Sequence, residues 1–229
     1  MEKQVKSKQR VAEHGEVFTN EREVKAMCDL VSQECNRIDS RFLEPACGNG
    51  NFLAEILKRK LEVVKNRYKK SADDYEKYSV IAVTSIYGVE LLSDNAQECR
   101  QRLFDIWNKK YTKNCKTAND ICRDSVRFIL SRNILCGNAL TMRTDDDKEI
   151  IFSEWSLVTG DKIKRRDFRL DVLLRENDDE DNYSMNLSLF DDTVENLNYW
   201  EIDPVTNEVI PKPIKEFPLT DYRRLNQYE

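Results

Sequence analysis

Residues 41–59 read "RFLEPACGNGNFLAEILKR" and join a short apolar start to a glycine-rich stretch and a helix-like run. The segment "RFLE" predicts a strand, which Pro45 ends. Gly48 and Gly50 predict a turn, and apolar residues then recur at helical spacing up to residue 70. The residues predicted to face inward on this helix are Phe52, Leu53, Ile56, Leu57, Leu61 and Val64. Strand, turn and helix together predict the first unit of an open parallel sheet.

A turn at this place in such a sheet predicts a ligand site. In open parallel sheets, ligands bind beyond the carboxyl ends of the strands. Glycine lets a ligand approach the backbone closely, and the helix that follows offers unpaired N–H groups. The phosphate-binding pattern GxGxxG is not met, because Leu53 stands at its last position. Glu90, in "YGVELL" at the end of the predicted second strand, is placed to accept hydrogen bonds from ribose hydroxyls.

Strand and helix patterns alternate after the turn. The segment "SADDYEKY" is predicted to be a surface excursion, and "SVIAVTSIYGVEL" to contain one or two strands. Two helices follow, in "LSDNAQECRQRLFDIWNKKY" and "TANDICRDSVRFILSRN", and then the strand "NILCGNAL". This alternation predicts an α/β fold with a Rossmann-like sheet of parallel strands and crossover helices.

A further helix is predicted ahead of the first strand, in "VFTNEREVKAMCDLVSQEC". Thr19 or Asn20 is placed to cap it, and Glu23 follows at the spacing of a capping box. Its apolar face is predicted to consist of Val24, Met27, Leu30 and Val31.

The pattern weakens after residue 141. "EIIFSEWSL" and "FRLDVLL" predict strands, whereas the basic "KIKRRDFR" is either an exposed turn or a contact to phosphate. From residue 176 the chain is polar and acidic, and "DPVTNEVIPKPIKEFPL" predicts extended chain along an edge. We therefore predict an α/β domain over 1–175, whose parallel sheet is incomplete, and an irregular acidic C-terminal extension over 176–229.

Composition excludes several classes of protein. The chain has 229 residues, seven Cys without a CxxC pair, and a single His, so a zinc cluster is not expected. Cys47, Cys99 and Cys136 lie in apolar patterns and are predicted to be reduced, buried thiols. The polar, basic N-terminus lacks a signal peptide pattern, and no apolar stretch is long enough to cross a bilayer. These features predict a cytoplasmic location.

The net charge of −5 makes the chain a poor non-specific binder of nucleic acid. The charge is nevertheless uneven, because basic residues gather at 3–10, 58–70 and 162–169 and acidic ones from residue 176 onward. This asymmetry indicates faces with different partners, although each run taken alone is explained equally well as a solvated surface.

Four segments together resemble a known family. "EPACGNGNFL" resembles the S-adenosylmethionine loop of the adenine-N6 DNA methyltransferases. "HGEVFTN", "GVELL" and "ILCGNAL" resemble three further motifs of that family and occur in the family's order, across residues 14–140. The similarity is greatest to methylase subunits of bacterial restriction–modification systems.

The resemblance implies S-adenosylmethionine as the cofactor and a role for each motif. Phe18 would lie near the methionine end of the cofactor, Glu90 would accept from the ribose hydroxyls, and Leu91 would flank the adenine. Asn138 replaces the usual Asp, and its amide oxygen would accept from the adenine amine. The cofactor-binding residues implied in this way are Phe18, Thr19, Glu44, Pro45, Ala46, Cys47, Gly48, Gly50, Phe52, Glu90, Leu91, Asn138 and Ala139.

The second half of a DNA methyltransferase site is not evident. In this family a D/N/S-P-P-Y/F motif holds the flipped target base, and no such motif follows Asn138. "FRLDVLLREND" lacks the prolines and the aromatic, and "DPVT" has one proline and reads as a turn. His14 is better explained as a surface residue than as a base, so no catalytic residue is predicted.

The leading hypothesis is the cofactor-binding part of an adenine-N6 DNA methyltransferase. A partner subunit would carry the catalytic motif and most of the contact with DNA. The alternative from another class is a degenerate, non-catalytic module that acts through protein contacts. A complete methyltransferase for a small molecule or a protein is the third hypothesis, and "PACGNG" makes it the least favoured.

Overall fold

The computed structural model describes residues 5–175, 199–204 and 206–228. Helices and short parallel strands alternate in its first two thirds, and antiparallel strands follow. The helices are α1 (Lys8–His14), α2 (Glu21–Leu30), α3 (Ser32–Cys35), α4 (Asn51–Tyr68), α5 (Ala72–Thr84), α6 (Ser93–Asn114), α7 (Asp120–Asn133), α8 (Leu170–Arg175) and a 3₁₀ helix (Tyr222–Gln227). The strands are β1 (Phe42–Glu44), β2 (Ile86–Glu90), β3 (Ile134–Cys136), β4 (Ile151–Thr159), β5 (Lys162–Arg169), β6 (Trp200–Ile202), β7 (Val209–Pro211), β8 (Lys215–Glu216) and β9 (Thr220–Asp221).

Strands β1, β2 and β3 form a parallel sheet with β2 in the centre. Leu43 pairs with Tyr87 on one side of β2, and Val89 pairs with Leu135 on the other. All five residues of β2 are buried, as expected for a strand covered on both faces. The carboxyl ends of the three strands meet at one edge, which confirms the predicted mixed α/β fold with parallel strands.

The helices of this unit bury their apolar faces against the sheet and against one another. Helix α4 packs on α5 and α6, and α7 packs on α5 and α6. The fully buried apolar residues of α4 are Leu53, Ala54, Leu57, Leu61 and Val64. The predicted periodicity of this helix is confirmed, with Phe52 only partly buried at its start.

The predicted surface excursion at "SADDYEKY" is wrong. Residues 72–84 form helix α5, which the Ser71 side chain caps by accepting a hydrogen bond from the Asp74 N–H. The prediction failed because "VIAV" is buried on every side of the helix, so the run shows neither the helical nor the alternating period. Only Ile86–Glu90 is a strand here.

Three smaller predictions also need correction. The segment "FRLDVLL" is not a strand, since β5 ends at Arg169 and α8 begins at Leu170. The run "KIKRRDFR" is strand β5 rather than a turn, and Arg165 within it is buried. Helix α2 is capped by Asn20 but buries Val24 and Cys28, while Met27 and Leu30 are exposed.

Strands β4 and β5 form an antiparallel hairpin beside the parallel sheet. The Tyr87 hydroxyl of β2 donates to the Ser153 carbonyl at 3.0 Å, and the Trp155 indole donates to the Asn133 side chain at 2.9 Å. These buried bonds fix the hairpin against the α/β unit. Strand β8, within the segment predicted as extended edge chain, pairs with β5, and β9 beyond it also pairs with β5. The prediction of an irregular extension is wrong for its described part, because residues 200–227 form four strands and a 3₁₀ helix.

The described part of the C-terminal extension contributes to the core. Phe217, Tyr222 and Leu225 are buried, and the 3₁₀ helix packs on α7. Tyr222 and Arg223 donate hydrogen bonds to the buried Glu76 carboxylate at 2.9 and 2.6 Å. Residues 176–198 lie outside the described residues, and the domain boundary at residue 175 stays a prediction.

All seven cysteines are free thiols, six of them buried; Cys136 is partly exposed. No helix in the described ranges combines the length and the apolar character that crossing a membrane requires.

Candidate functional site

The glycine-rich turn follows β1 directly and leads into α4. The Cys47 N–H donates to the Val89 carbonyl of β2 at 2.9 Å, and the Gly50 N–H donates to the Cys47 carbonyl at 2.8 Å. Gly48 and Gly50 have φ values of 53° and 84°, in the left-handed region that favours glycine. The turn therefore lies where the sequence places it, at the carboxyl end of the sheet.

Close packing beneath the turn adds a second requirement for small residues. A Cβ atom on Gly50 would lie 2.6 Å from the Cys99 sulfur, and one on Gly88 would lie 2.8 Å from the Cys47 sulfur. A hydrogen bond with Cys99 and burial together raise the pKa of Cys47. Cys47 is therefore a packing residue beneath the turn and keeps its proton.

Glu90 connects the turn to the end of β2. Its side chain is buried, and Oε2 accepts a hydrogen bond from the Gly48 N–H at 2.8 Å. Oε1 accepts from the Leu92 N–H at 3.0 Å and from the Asn95 amide at 3.3 Å. Each carboxylate oxygen has two lone-pair sites, so Oε2 can accept one more donor. The predicted acid and the predicted turn are thus in direct contact.

The N-terminal segment covers the turn. The Phe18 ring lies against Gly48, because a Cβ on that glycine would be 3.1 Å from the ring. The Thr19 carbonyl accepts a hydrogen bond of 2.8 Å from the Asn51 side chain at the start of α4. The structure therefore brings Phe18 and Thr19 to the glycine turn.

A polar network that sequence reasoning missed fixes this segment. Asn95 is buried, donates to Glu16 at 2.5 Å and accepts from Lys6 at 2.6 Å. Because Asn95 also donates to Glu90, the network reaches from the N-terminal segment to the end of β2. Asn95 and Glu16 lie 79 residues apart in sequence, so no local pattern could have indicated the network.

The same network sets the charge of two acids. Arg10 forms ion pairs with Glu16 and with Asp94, both at 2.7 Å. Burial alone would raise the pKa of Glu16, but hydrogen bonds from Arg10 and Asn95 lower it. The hydrogen bond from Arg10 lowers the pKa of Asp94 to about 2. Both carboxylates are therefore ionised at neutral pH, and they hold α1 over the site.

The end of β3 completes the edge. The Gly137 N–H donates to the Glu90 carbonyl at 2.9 Å, so Asn138 follows directly beside β2. The Asn138 side-chain oxygen does not point outward: it accepts from the Leu140 N–H at 2.9 Å and closes a turn. Its NH₂ group makes no hydrogen bond within the described chain, which leaves a donor rather than the expected acceptor at this position.

The other predicted residues divide by exposure. Leu91 is 46% exposed next to Glu90, and Pro45 and Ala46 are exposed at the turn. Ala139 is partly buried against the core. Glu44 is the last residue of β1, and burial raises the pKa of its side-chain carboxyl group. Leu91 is thus the apolar side chain best placed to contact a bound ligand.

The outer edge of β1 is open in the described chain, where β1 pairs only with β2. A cavity of about 460 Å³ lies at this edge. Its lining is mostly apolar and comes from β1, β2, the β4–β5 hairpin, α8 and β7. The lining residues are Arg41, Phe42, Leu43, Tyr87, Phe152, Glu154, Arg166, Phe168, Leu170, Leu173, Leu174, Ile210 and Pro211.

The described ranges contain no cluster of three His, Cys, Asp or Glu side chains suited to a metal ion. The carboxyl edge of the parallel sheet contains a glycine turn with left-handed backbone, a buried carboxylate and an exposed leucine. Such an arrangement can hold a small polar ligand that carries hydroxyl donors and a flat apolar ring.

Comparison with known families agrees with this geometry. The chain matches the family described as "MmeI, DNA-methyltransferase domain" over residues 16–152, which is more than half of its length. The matched range contains the turn, Glu90, the covering segment around Phe18 and the whole parallel sheet. No curated protein and no solved structure matches the chain. The chain therefore belongs to the MmeI DNA-methyltransferase domain family.

Proposed function

We propose that the chain binds S-adenosylmethionine at the edge formed by β1, β2 and β3. It would be the cofactor-binding part of an adenine-N6 DNA methyltransferase of a restriction–modification system. The observation that carries this proposal is the 2.8 Å hydrogen bond from the Gly48 N–H to Glu90. This bond joins the glycine turn and the acid in one site, next to the exposed Leu91. Such an enzyme acts on the cell's own DNA, so we place it in the cytoplasm.

The residues present fit this cofactor. The free lone pair on Glu90 Oε2 suits a ribose hydroxyl. Leu91 suits the adenine ring, and the Asn138 NH₂ group suits a ring nitrogen rather than the exocyclic amine. Phe18 suits the methionine end. When bound, the cofactor supplies an electrophilic methyl group, and the covering segment around Phe18 excludes water from it.

The target base needs a further element, and the open edge of β1 is where we propose that it docks. A strand added beside β1 would pair with backbone groups that face away from β2. Its apolar side chains would fill the cavity lined by Leu43 and Phe168. Its carboxyl end would lie beside the glycine turn, since a parallel strand ends at the same edge of the sheet. The partner subunit that carries the catalytic motif would supply this strand.

Cofactor binding is the first test. We expect S-adenosylmethionine to bind the purified chain in calorimetry, and Glu90→Gln to weaken binding about 10–100-fold because an amide replaces a charged acceptor. Asp105→Asn is the matched control, since Asp105 is exposed on α6 and accepts only from Gln101. Equal affinities of the Glu90→Gln variant and the wild type would refute the role of Glu90.

Methyl transfer is the second test. The chain is incubated with radiolabelled S-adenosylmethionine and duplex DNA, alone and with proteins encoded next to it. We expect no transfer by the chain alone and N6-methyladenine when the partner is present. Methylcytosine as the product would refute adenine specificity, and robust transfer by the chain alone would refute the need for a partner.

A second function is favoured by one observation. Much of the acceptor capacity of the site is used within the chain, because Glu90 accepts three hydrogen bonds and the Asn138 oxygen accepts from Leu140. Such internal use suits a non-catalytic module that keeps the fold for protein contacts. Absence of cofactor binding, both alone and with the partner, would favour this function.

A further inference from the structure

A groove on the outer face of the molecule runs between helices α4 and α6. The Arg102 side chain donates to Asn51 at 2.5 Å, and further along both helices Lys110 pairs with Glu62 at 3.3 Å. The two helices therefore run in the same direction, and Ile106 lies between these two contacts. The groove has a volume of about 630 Å³. Its lining consists of five cations, one carboxylate and one aliphatic residue: Lys58, Arg59, Lys109, Lys110 and Lys113, then Glu62, and Ile106.

Two of the cations are balanced by acids. Arg59 forms ion pairs with Asp29 at 2.8 Å and Glu55 at 2.9 Å. Glu62 is the acid for Lys110, but Lys65 shares it at 2.8 Å, so one carboxylate serves two ammonium groups. The one acid of the groove is therefore already engaged.

Lys58, Lys109 and Lys113 are exposed and have no ion pair or hydrogen bond within the described chain. Three exposed lysines without an ion pair line one groove of a chain whose net charge is −5. Of the three, only Lys58 also lines the neighbouring cavity, whose described lining contains three carboxylates. Like charges held close together repel each other, and an anionic partner removes that cost. The groove is thus the place where an otherwise acidic molecule offers a positive surface.

The spacing of the lysines limits the kind of partner. Lys109 and Lys113 lie one helical turn apart, about 6 Å along α6. The phosphates of one DNA strand rise by about 3.4 Å per step along the duplex axis and also turn around it, so the spacing of these two lysines is close to that of neighbouring phosphates. Lys58 lies across the groove on α4, and the aliphatic Ile106 forms the floor.

We propose that this groove binds the phosphate backbone of duplex DNA. The choice of DNA over another polyanion rests on the proposed function, because a DNA methyltransferase works along that polymer. Contacts to phosphate position a protein without reading sequence. The groove would therefore hold DNA in a sequence-independent way, on a face separate from the edge where the cofactor would bind.

The test compares two charge-reversal variants of the full chain. The first is Lys58→Glu/Lys109→Glu/Lys113→Glu in the groove. The second is Lys8→Glu/Lys162→Glu/Lys212→Glu, which changes three exposed lysines on other surfaces and has the same net charge. Binding to a fluorescent duplex of about 20 base pairs is measured by anisotropy across a salt series without cofactor. Thermal unfolding of both variants confirms that each is folded.

We expect the groove variant to bind DNA at least about tenfold more weakly than the wild type at ~50 mM salt, and the control variant to bind nearly as the wild type does. We also expect the salt dependence of the groove variant to be shallower, by about 0.9 in slope for each phosphate that the variant no longer neutralises. These two results together would support the groove.

Three outcomes would overturn the proposal: equal loss in both variants, no duplex binding by the wild type, or polyglutamate displacing the duplex from the wild type at a lower concentration than competitor DNA. Equal loss would mean that net charge alone matters, and polyglutamate displacement would indicate an acidic protein as the partner. Cofactor binding is measured separately on the groove variant and on the wild type. Absence of cofactor binding by the wild type, both alone and with the partner, with DNA binding intact, would refute the proposed function and leave the groove supported.

Discussion

Gly50 meets two structural requirements that alanine would violate. Its φ of 84° lies in the left-handed region, and a Cβ there would lie 2.6 Å from the Cys99 sulfur. Gly160 has a similar left-handed conformation, with φ of 54°, but open space around the position of a Cβ. The pair therefore separates the cost of backbone strain from the cost of close packing.

Gly160→Ala should lower the free energy of unfolding by about 1 kcal/mol, through backbone strain alone. Gly50→Ala should cost about 1–3 kcal/mol more, because a buried sulfur has to move. Urea unfolding of both variants measures the difference. Equal losses would show that Cys99 does not constrain the turn.

Asn95 joins the N-terminal segment to the acid of the site through one buried amide. Asn95→Ala removes the hydrogen bonds to Lys6, Glu16 and Glu90, so each of the two carboxylates loses one donor and the N-terminal segment loses its connection to Glu90. Hydrogen exchange measured by mass spectrometry should then be faster in residues 5–20. Exposed Gln97, on the same helix, provides the control as Gln97→Ala. Unchanged exchange in residues 5–20 would mean that other interactions hold α1.

At the scale of secondary structure, helix α4 contains a buried lysine that lies far from the candidate site. Lys60 is fully buried, and its ammonium group donates to the carbonyls of Ile38 and Ser40 and to the Ser85 hydroxyl. Burial lowers the pKa of Lys60 to about 8. These three hydrogen bonds fix the N-terminal end of the sheet, opposite the edge that holds the glycine turn.

The sign of the resulting pH dependence follows from the lowered pKa. Between pH 8 and pH 10.5 the unfolded chain keeps the proton on Lys60 while the folded chain loses it, so stability rises with pH in this window. We expect a contribution of about 3 kcal/mol, measured by urea unfolding. Lys60→Met should lack this contribution, and other groups that titrate affect both proteins alike. Parallel curves for the two proteins would contradict the prediction.

Periodicity in the sequence predicted those elements that have one solvated face. Helices α4, α6 and α7 were found in this way. Helix α5 was missed because its second half is buried all round, and α8 was missed because a short apolar run fits a strand equally well. The turn was predictable because glycine favours left-handed backbone, and Glu90 was predictable because it is an acid at the end of a buried strand.

For the whole molecule, the contacts that could not be predicted from the sequence are those between residues far apart along the chain. Asn95 and Glu16 lie 79 positions apart, and Tyr222 bonds to Glu76 across 146 positions. No local pattern encodes such pairs. The hydrogen bond from the Leu140 N–H to the Asn138 side-chain oxygen is local in sequence. It could still not be predicted, because it depends on the backbone conformation of residues 138–141.

The C-terminal residues should matter for the stability of the whole fold. Leu225 is 3% exposed and belongs to the core, whereas Leu219 nearby is 49% exposed. Leu225→Ala should lower the free energy of unfolding by about 2–4 kcal/mol, and Leu219→Ala by less than about 0.5 kcal/mol. Urea unfolding monitored by tryptophan fluorescence measures both. Similar small losses would indicate that residues 215–228 form a separate, weakly attached unit.

The bond between Tyr222 and Glu76 also has a consequence for synthesis on the ribosome. Glu76 leaves the ribosome 146 residues before Tyr222, an interval of roughly 7–30 s at about 5–20 residues per second. Until then the Glu76 carboxylate lacks two of its three donors, since Arg223 emerges with Tyr222 and only Tyr111 precedes them. We expect the nascent α/β unit to stay loosely packed around α5 during this interval and to become rigid only when Tyr222 and Arg223 arrive.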